Sequence, residues 1–155
     1  MATIISGAPV PLFERLASGG TEPSAHLLDG AQLRQSVARE LGRLLNTRSR
    51  LSAEAFLASE GTVLDYGLPD CSSRSLQSGP DRALIAALVR HAVTLFEPRL
   101  RNVNVEFVGT PLNSALTQPV LLIDGELCLG QAPERVSFEL AAGDETATLR
   151  GTDHG

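Results

Sequence analysis

The chain has no lysine, no tryptophan, one tyrosine, three histidines and two cysteines among its 155 residues, and each shortage closes off a class of function. Cys71 lies in a polar stretch and Cys128 in an apolar one. Two such residues make neither a disulfide framework nor a metal-ligand spacing, so both read as free thiols. His26, His91 and His154 have no Cys, Asp or Glu at ligand spacing, which argues against a metal site. Thirteen arginines stand against eighteen acids, and the net charge of -5 disfavours a general affinity for nucleic-acid phosphates. No cluster of cations with interleaved aromatics offsets that balance. No apolar run approaches the roughly 20 residues of a membrane span, and Met1 to Val10 lacks the positive charge of a signal peptide, so a cytoplasmic protein without membrane insertion is expected. Neither a G-x-G-x-x-G turn nor a phosphate loop nor a G-x-S-x-G elbow occurs, and no cofactor is expected.

A hydrophobic content of 43% is enough for one domain of this length to bury its own core. The chain divides into an N-terminal arm over 1–30, a single domain over 31–150 and a tail over 151–155. The arm mixes Pro9, Pro11, Gly19, Gly20 and Pro23, with one short helical piece at Pro11 to Leu16. The first full helix covers Ala31 to Asn46, with Leu33, Val37, Leu41, Leu44 and Leu45 on one face and Asp29 as N-cap. Asn46 to Arg50 follows as a polar turn, in which Asn46 can take the left-handed conformation that ends helices. Arg48 and Arg50 there either balance the helix dipole in solvent or recognise an acidic partner surface. Leu51 to Gly67 reads as a short helix and a packed loop, and Tyr66 to Asp70 as a turn with buried anchors.

The organising stretch is Ser78 to Phe107, one helix feeding one strand. Ser78 can cap the helix, Pro80 fits its first turn and Asp81 meets the positive dipole end. Leu84, Ile85, Leu88, Ala92, Leu95 and Phe96 recur at helical spacing until Pro98 forces the exit at Glu97. Val103, Val105 and Phe107 then alternate with polar residues as in a half-buried strand. Pro119 to Leu129 supplies a second strand, with a bulge or bend expected at Asp124-Gly125. Arg135 to Leu140 and Thr146 to Arg150 form a hairpin around Ala142-Gly143-Asp144. Helices first and strands last predict an α+β domain, with N-terminal helices packed on one face of a small, mainly antiparallel C-terminal sheet.

The junction Glu97-Pro98-Arg99-Leu100-Arg101 is the chemically unusual spot. A carboxylate in the last turn faces the negative end of the helix dipole, so a cation should compensate it, and Arg99 and Arg101 are the near candidates. The pair is either a local clasp at the corner or a charged docking site. Glycoside hydrolysis would need two carboxyl groups roughly 5–10 Å apart, for which Glu97 with Glu106 or Asp70 can be nominated. The adjacent arginines suit an ion pair rather than a proton donor, and with 4% aromatics there is little to stack on sugars. The residues therefore argue against a lysozyme-like glycoside hydrolase.

Leu41 to Arg50 (LGRLLNTRSR), Thr62 to Asp70 (TVLDYGLPD) and Phe96 to Phe107 (FEPRLRNVNVEF), in this order, resemble the TssE family of type VI secretion baseplate subunits, and Pro11 to Leu16 (PLFERL) is similar to its N-terminal signature. The likeness implies that Glu97, Pro98 and Arg99 are the family's Glu-Pro-Arg motif, on the face that receives the contractile sheath. It also implies a domain similar to the strand-exchanging part of a sheath subunit, which would act as a template for the first sheath layer. The implied partners are the TssF and TssG wedge subunits, TssK nearby, and the sheath subunits TssB and TssC, on the cytoplasmic face of an inner-membrane-docked baseplate. Arg101, Arg48 and Arg50 complete the expected partner-binding set. With no credible catalytic constellation beside these motifs, the resemblance implies a non-enzymatic structural protein, the alternatives being a peptidoglycan hydrolase and a soluble anti-adaptor-like regulator.

Overall fold

In a computed structural model of the chain, residues 8–9, 16, 27–109, 119–129, 132–141 and 148–150 are described. Helix α1 spans Gly30–Asn46. Asp29 accepts the Gln32 backbone N–H at 2.8 Å, and the Gln32 side chain accepts the Asp29 N–H at 3.1 Å, so two otherwise orphaned donors are satisfied reciprocally. At the other end, Asn46 does not turn left-handed as expected. It stays helical and donates its side-chain amide to the Gly42 carbonyl at 2.9 Å, while the Thr47 hydroxyl donates to the Arg43 carbonyl at 2.7 Å. The Thr47 backbone N–H donates to the Leu44 carbonyl at 3.3 Å, so side-chain and backbone donors together serve the end of the helix without a left-handed residue.

Helix α2, Ala53–Leu57, is capped by Ser52, and a 3-10 turn follows at Val63–Asp65. The loop expected to pack inward does the opposite at its tip, where Val63 and Leu64 are 91% and 82% exposed. Helix α3, Gly79–Phe96, begins as the sequence indicates. Ser78 accepts the Asp81 N–H, Pro80 lies in the first turn, and Glu97 is the C-cap. His91 sits half-buried on α3, edge-on to Phe56 at a centroid distance of 5.3 Å and hydrogen-bonded through Nε2 to the Ser59 carbonyl.

Strands β1 (Ala8–Pro9) and β2 (Leu27–Leu28) pair antiparallel in a small ladder of their own. The main sheet has the order β3 (Leu100–Val108), β4 (Val120–Leu129), β5 (Ala132–Ala141) and β6 (Thr148–Arg150), antiparallel throughout. Val105, Ile123 and Phe138 lie side by side across three strands. The row turns toward Leu33, Val37, Leu41 and Leu44 of α1 and Leu88, Val89, Ala92 and Val93 of α3, which form the core with Phe56. The architecture is α+β, with the helices packed against the sheet.

The irregularity expected at Asp124-Gly125 lies in the neighbouring strand. Ladder β4 to β5 is unbroken from Val120↔Ala141 to Leu129↔Ala132. On the other side Arg101 faces Glu126 and Asn104 faces Asp124, so the extra residue belongs to β3, where Asn102 adopts φ 51°. Gly125 is required for a different reason, since a Cβ there would come within 2.7 Å of the Leu100 side chain. Of the expected Pro11 to Leu16 helical piece only Leu16 is described, as helical and exposed; the Ala142-Gly143-Asp144 turn lies outside the described residues.

Candidate functional site

Pro98 ends α3 and turns the chain into β3, and the charges on either side of it face each other. Glu97, though charged, is buried. Its Oε1 accepts from Arg99 Nε at 2.7 Å and from the Arg99 backbone N–H at 3.2 Å, and its Oε2 accepts from Arg99 Nη2 at 2.7 Å. This is the bidentate fork that matches a planar guanidinium to a carboxylate. Arg99 Nη1 donates onward to the hydroxyl of Ser36 at 3.0 Å, and Ser36 is fully buried on α1. The clasp therefore ties the end of α3, the start of β3 and the middle of α1 at one point. Pro98 and Arg101 are exposed beside it, Arg101 being the second residue of β3, across from Glu126.

A second joint lies next to the first. The Ser49 N–H donates to the Leu68 carbonyl and the Leu68 N–H to the Thr47 carbonyl, both at 2.8 Å, clipping the turn after α1 to the loop before α3. Gly67 makes this approach possible. Its φ is +112°, and a Cβ would lie 2.5 Å from the Thr47 carbonyl oxygen. Tyr66 stacks edge-on against Phe96 at 5.3 Å, directly before the Glu97 corner. Burial, and then the Glu40 carboxylate, push the Tyr66 phenol above its ordinary value. Outside this joint Arg48 and Asp70 approach loosely at 3.6 Å with side chains 65% and 69% exposed, and Arg50 is also exposed. The Ser72 backbone N–H and hydroxyl, and then Arg48, hold Asp70 below the usual carboxylate range.

The three sequence stretches around Arg48, Gly67 and Glu97 thus meet in space, joined by the Tyr66–Phe96 contact and the Thr47–Leu68 backbone bonds. A family model described as baseplate wedge protein gp25 matches residues 31–123, more than half of the chain. The chain belongs to that family. The match runs from α1 into β4 and contains all three stretches, in agreement with the TssE resemblance. Among curated proteins and solved structures, none matches the chain at a significant level. A baseplate wedge protein is a structural part of a phage-tail-like assembly, and membership implies contact with other baseplate components. Among the described residues no three of His, Cys, Asp and Glu gather as metal ligands, and no helix is long and apolar enough to cross a membrane.

Several residues that build the site gave little warning in the sequence. Ser36 occupies a buried position on the apolar face of α1, between Leu33 and Val37, and its hydroxyl receives the arriving Arg99. The acidic anchor of the 3-10 turn was readable, since Thr62-Val63-Leu64-Asp65 has the Thr-x-x-acid spacing of a capping box. Asp70, nominated above only as a carboxylate for hydrolysis, is instead the exposed partner of Arg48.

Proposed function

We propose that this baseplate wedge protein is the TssE-type subunit of a type VI secretion system, linking the wedge to the contractile sheath on the cytoplasmic face of the inner-membrane-docked baseplate and templating sheath polymerisation. The supporting observation is the convergence of the three motif stretches beside an edge strand. Strand β3 pairs with β4 on one side, and no described strand pairs with its other side. An edge strand offers unpaired N–H and C=O groups to which a strand of TssB or TssC can add with little demand on side chains. Such pairing has no register signal of its own, and charge at a fixed position supplies one. With Glu97 and Arg99 satisfied by each other, the clasp fixes where β3 begins, Pro98 stiffens the corner, and Arg101 is the charge presented outward.

Wedge binding falls to the second joint. Arg48 and Arg50 face TssF and TssG, with TssK nearby, from a turn whose backbone is clipped in place. Charged groups at the rim of a contact steer association and reject wrong partners. The test is complementation of a strain lacking this subunit. Arg101→Glu should leave the protein folded and bound to TssF–TssG yet abolish ordered sheath structures in cells, whereas Arg48→Glu should already fail at wedge binding. Normal sheath assembly with both variants at wild-type level would refute the assignment.

A further inference from the structure

We propose that Val63 and Leu64 form a rigid apolar knob that seats in an apolar pocket rimmed by cationic side chains on another baseplate subunit. The proposal rests on the baseplate reading above. Exposure of two large apolar side chains in a loose loop would mean little, because the loop can fold them away. Here the backbone is pinned. Asp65 Oδ2 accepts from the Thr62 N–H at 3.0 Å, the Thr62 hydroxyl at 2.9 Å and the Ser59 hydroxyl at 3.3 Å, and the Asp65 N–H donates to the Thr62 carbonyl at 2.9 Å. Gly61, at φ +80°, lies close enough to Leu95 that a Cβ would stand 3.1 Å from its Cδ1, and His91 holds the Ser59 carbonyl. The turn is therefore anchored to α3 on one side and self-capped on the other, and Val63 and Leu64 are held outward at 91% and 82% exposure. A knob displayed without further ordering cost is what a contact anchor requires.

Charge identifies the pocket. From Leu51 to Ser73 the sequence contains Glu54, Glu60, Asp65 and Asp70 and no basic residue. Glu54 and Glu60, which precede the turn in the chain, are both exposed. A complementary rim is cationic, and an acidic one would be repelled. Size argues against self-association through this feature. Two side chains cover far less than the roughly 1,200 Å² of a stable stand-alone interface, so the knob serves as one anchor within a larger contact made by a subunit already bound nearby.

The experiment uses the full chain and a purified TssF–TssG complex as probe. Wild type, the double variant Val63→Ser/Leu64→Ser and the charge-reversed Glu54→Arg/Glu60→Arg are compared by binding titration, thermal unfolding and sedimentation. The serine variant should unfold at the wild-type temperature and bind at least about tenfold more weakly. The charge-reversed variant should associate more slowly, with the loss shrinking at high salt. Unchanged binding by the serine variant, while wild type binds, overturns the knob alone. Failure of wild type to bind overturns the baseplate reading and the knob with it. A marked drop in unfolding temperature would mean that the chain itself covers these residues, and wild-type dimers dispersed by the serine substitutions would assign the knob to a second copy; either result overturns the proposal.

Discussion

Two arginine–acid pairs lie at neighbouring joints of this molecule and differ in almost every physical respect. Arg99 and Glu97 meet with three hydrogen bonds of 2.7 to 3.2 Å, and their side chains are 24% and 4% exposed. Arg48 and Asp70 approach only to 3.6 Å, and both remain largely in solvent. A buried pair is held by its surroundings and punishes the loss of one member, whereas an exposed pair is worth little and leaves its charges available. The same residue types therefore shape the site in one place and remain exposed to solvent in the other.

The largest effect that would sharpen this contrast is expected at Arg99. Arg99→Ala leaves the buried Glu97 carboxylate without its guanidinium partner and should cost on the order of 3–5 kcal/mol in denaturant unfolding. Glu97→Ala should cost less, because the Arg99 guanidinium is partly exposed and can turn toward water. A smaller loss is expected at the backbone of the second joint. Gly67→Ala forces a left-handed angle on a residue with a Cβ and drives that Cβ against the Thr47 carbonyl, so a destabilisation of at least about 2 kcal/mol should appear in the same assay. If it does not, the loop carrying Asp70 is free to move away from the turn carrying Arg48, and the second joint is not a fixed platform.

Acid should loosen the loops that are held by capped carboxylates. Asp65, Asp70 and Asp81 are each held below their ordinary value of 3.8, chiefly by the backbone N–H groups of Thr62, Ser72 and Ser75 respectively. A carboxyl more acidic in the folded than in the unfolded chain stabilises the fold fully above its unfolded value and ceases to do so as the pH falls through its folded value. Unfolding temperature should therefore decline once the pH drops below about 4, and Asp65→Asn should flatten part of that slope. The smallest change in stability belongs to Arg48→Glu, which should shift unfolding by less than about 1 kcal/mol while weakening TssF–TssG binding in a pull-down or titration. A large loss of stability would make Arg48 a structural residue and erase the contrast with Arg99.

Much of this was legible in the sequence where local chemistry decides structure. Asp29, Ser78 and Pro80 mark the helix starts because caps and first turns are set by neighbours within a few residues. Pro98 marks the corner, and a Glu–Arg clasp is one of the two arrangements its flanking residues suggest. What could not be read depends on residues far apart in the chain. A glycine in a strand signals either a bulge or a close approach, and only the seating of Leu100 over Gly125 distinguishes them. The actual bulge is in β3, where Asn102 tolerates the left-handed angle and also donates to Glu126 across the ladder at 2.8 Å. Val63 and Leu64 read as packed because apolar residues usually are. Their exposure follows from the Asp65 cap, which turns the backbone outward before the side chains can reach the core.

A double-mutant cycle on Glu97 and Arg99, read by equilibrium unfolding of the wild type, Glu97→Ala, Arg99→Ala and the double alanine variant, tests most directly the claim that the corner is an internal clasp. The single variants should be destabilised and the double variant should recover part of the loss, giving a coupling of about 2 kcal/mol or more. Single variants as stable as wild type, with a coupling below about 0.5 kcal/mol, would contradict the clasp and return both charges to a partner.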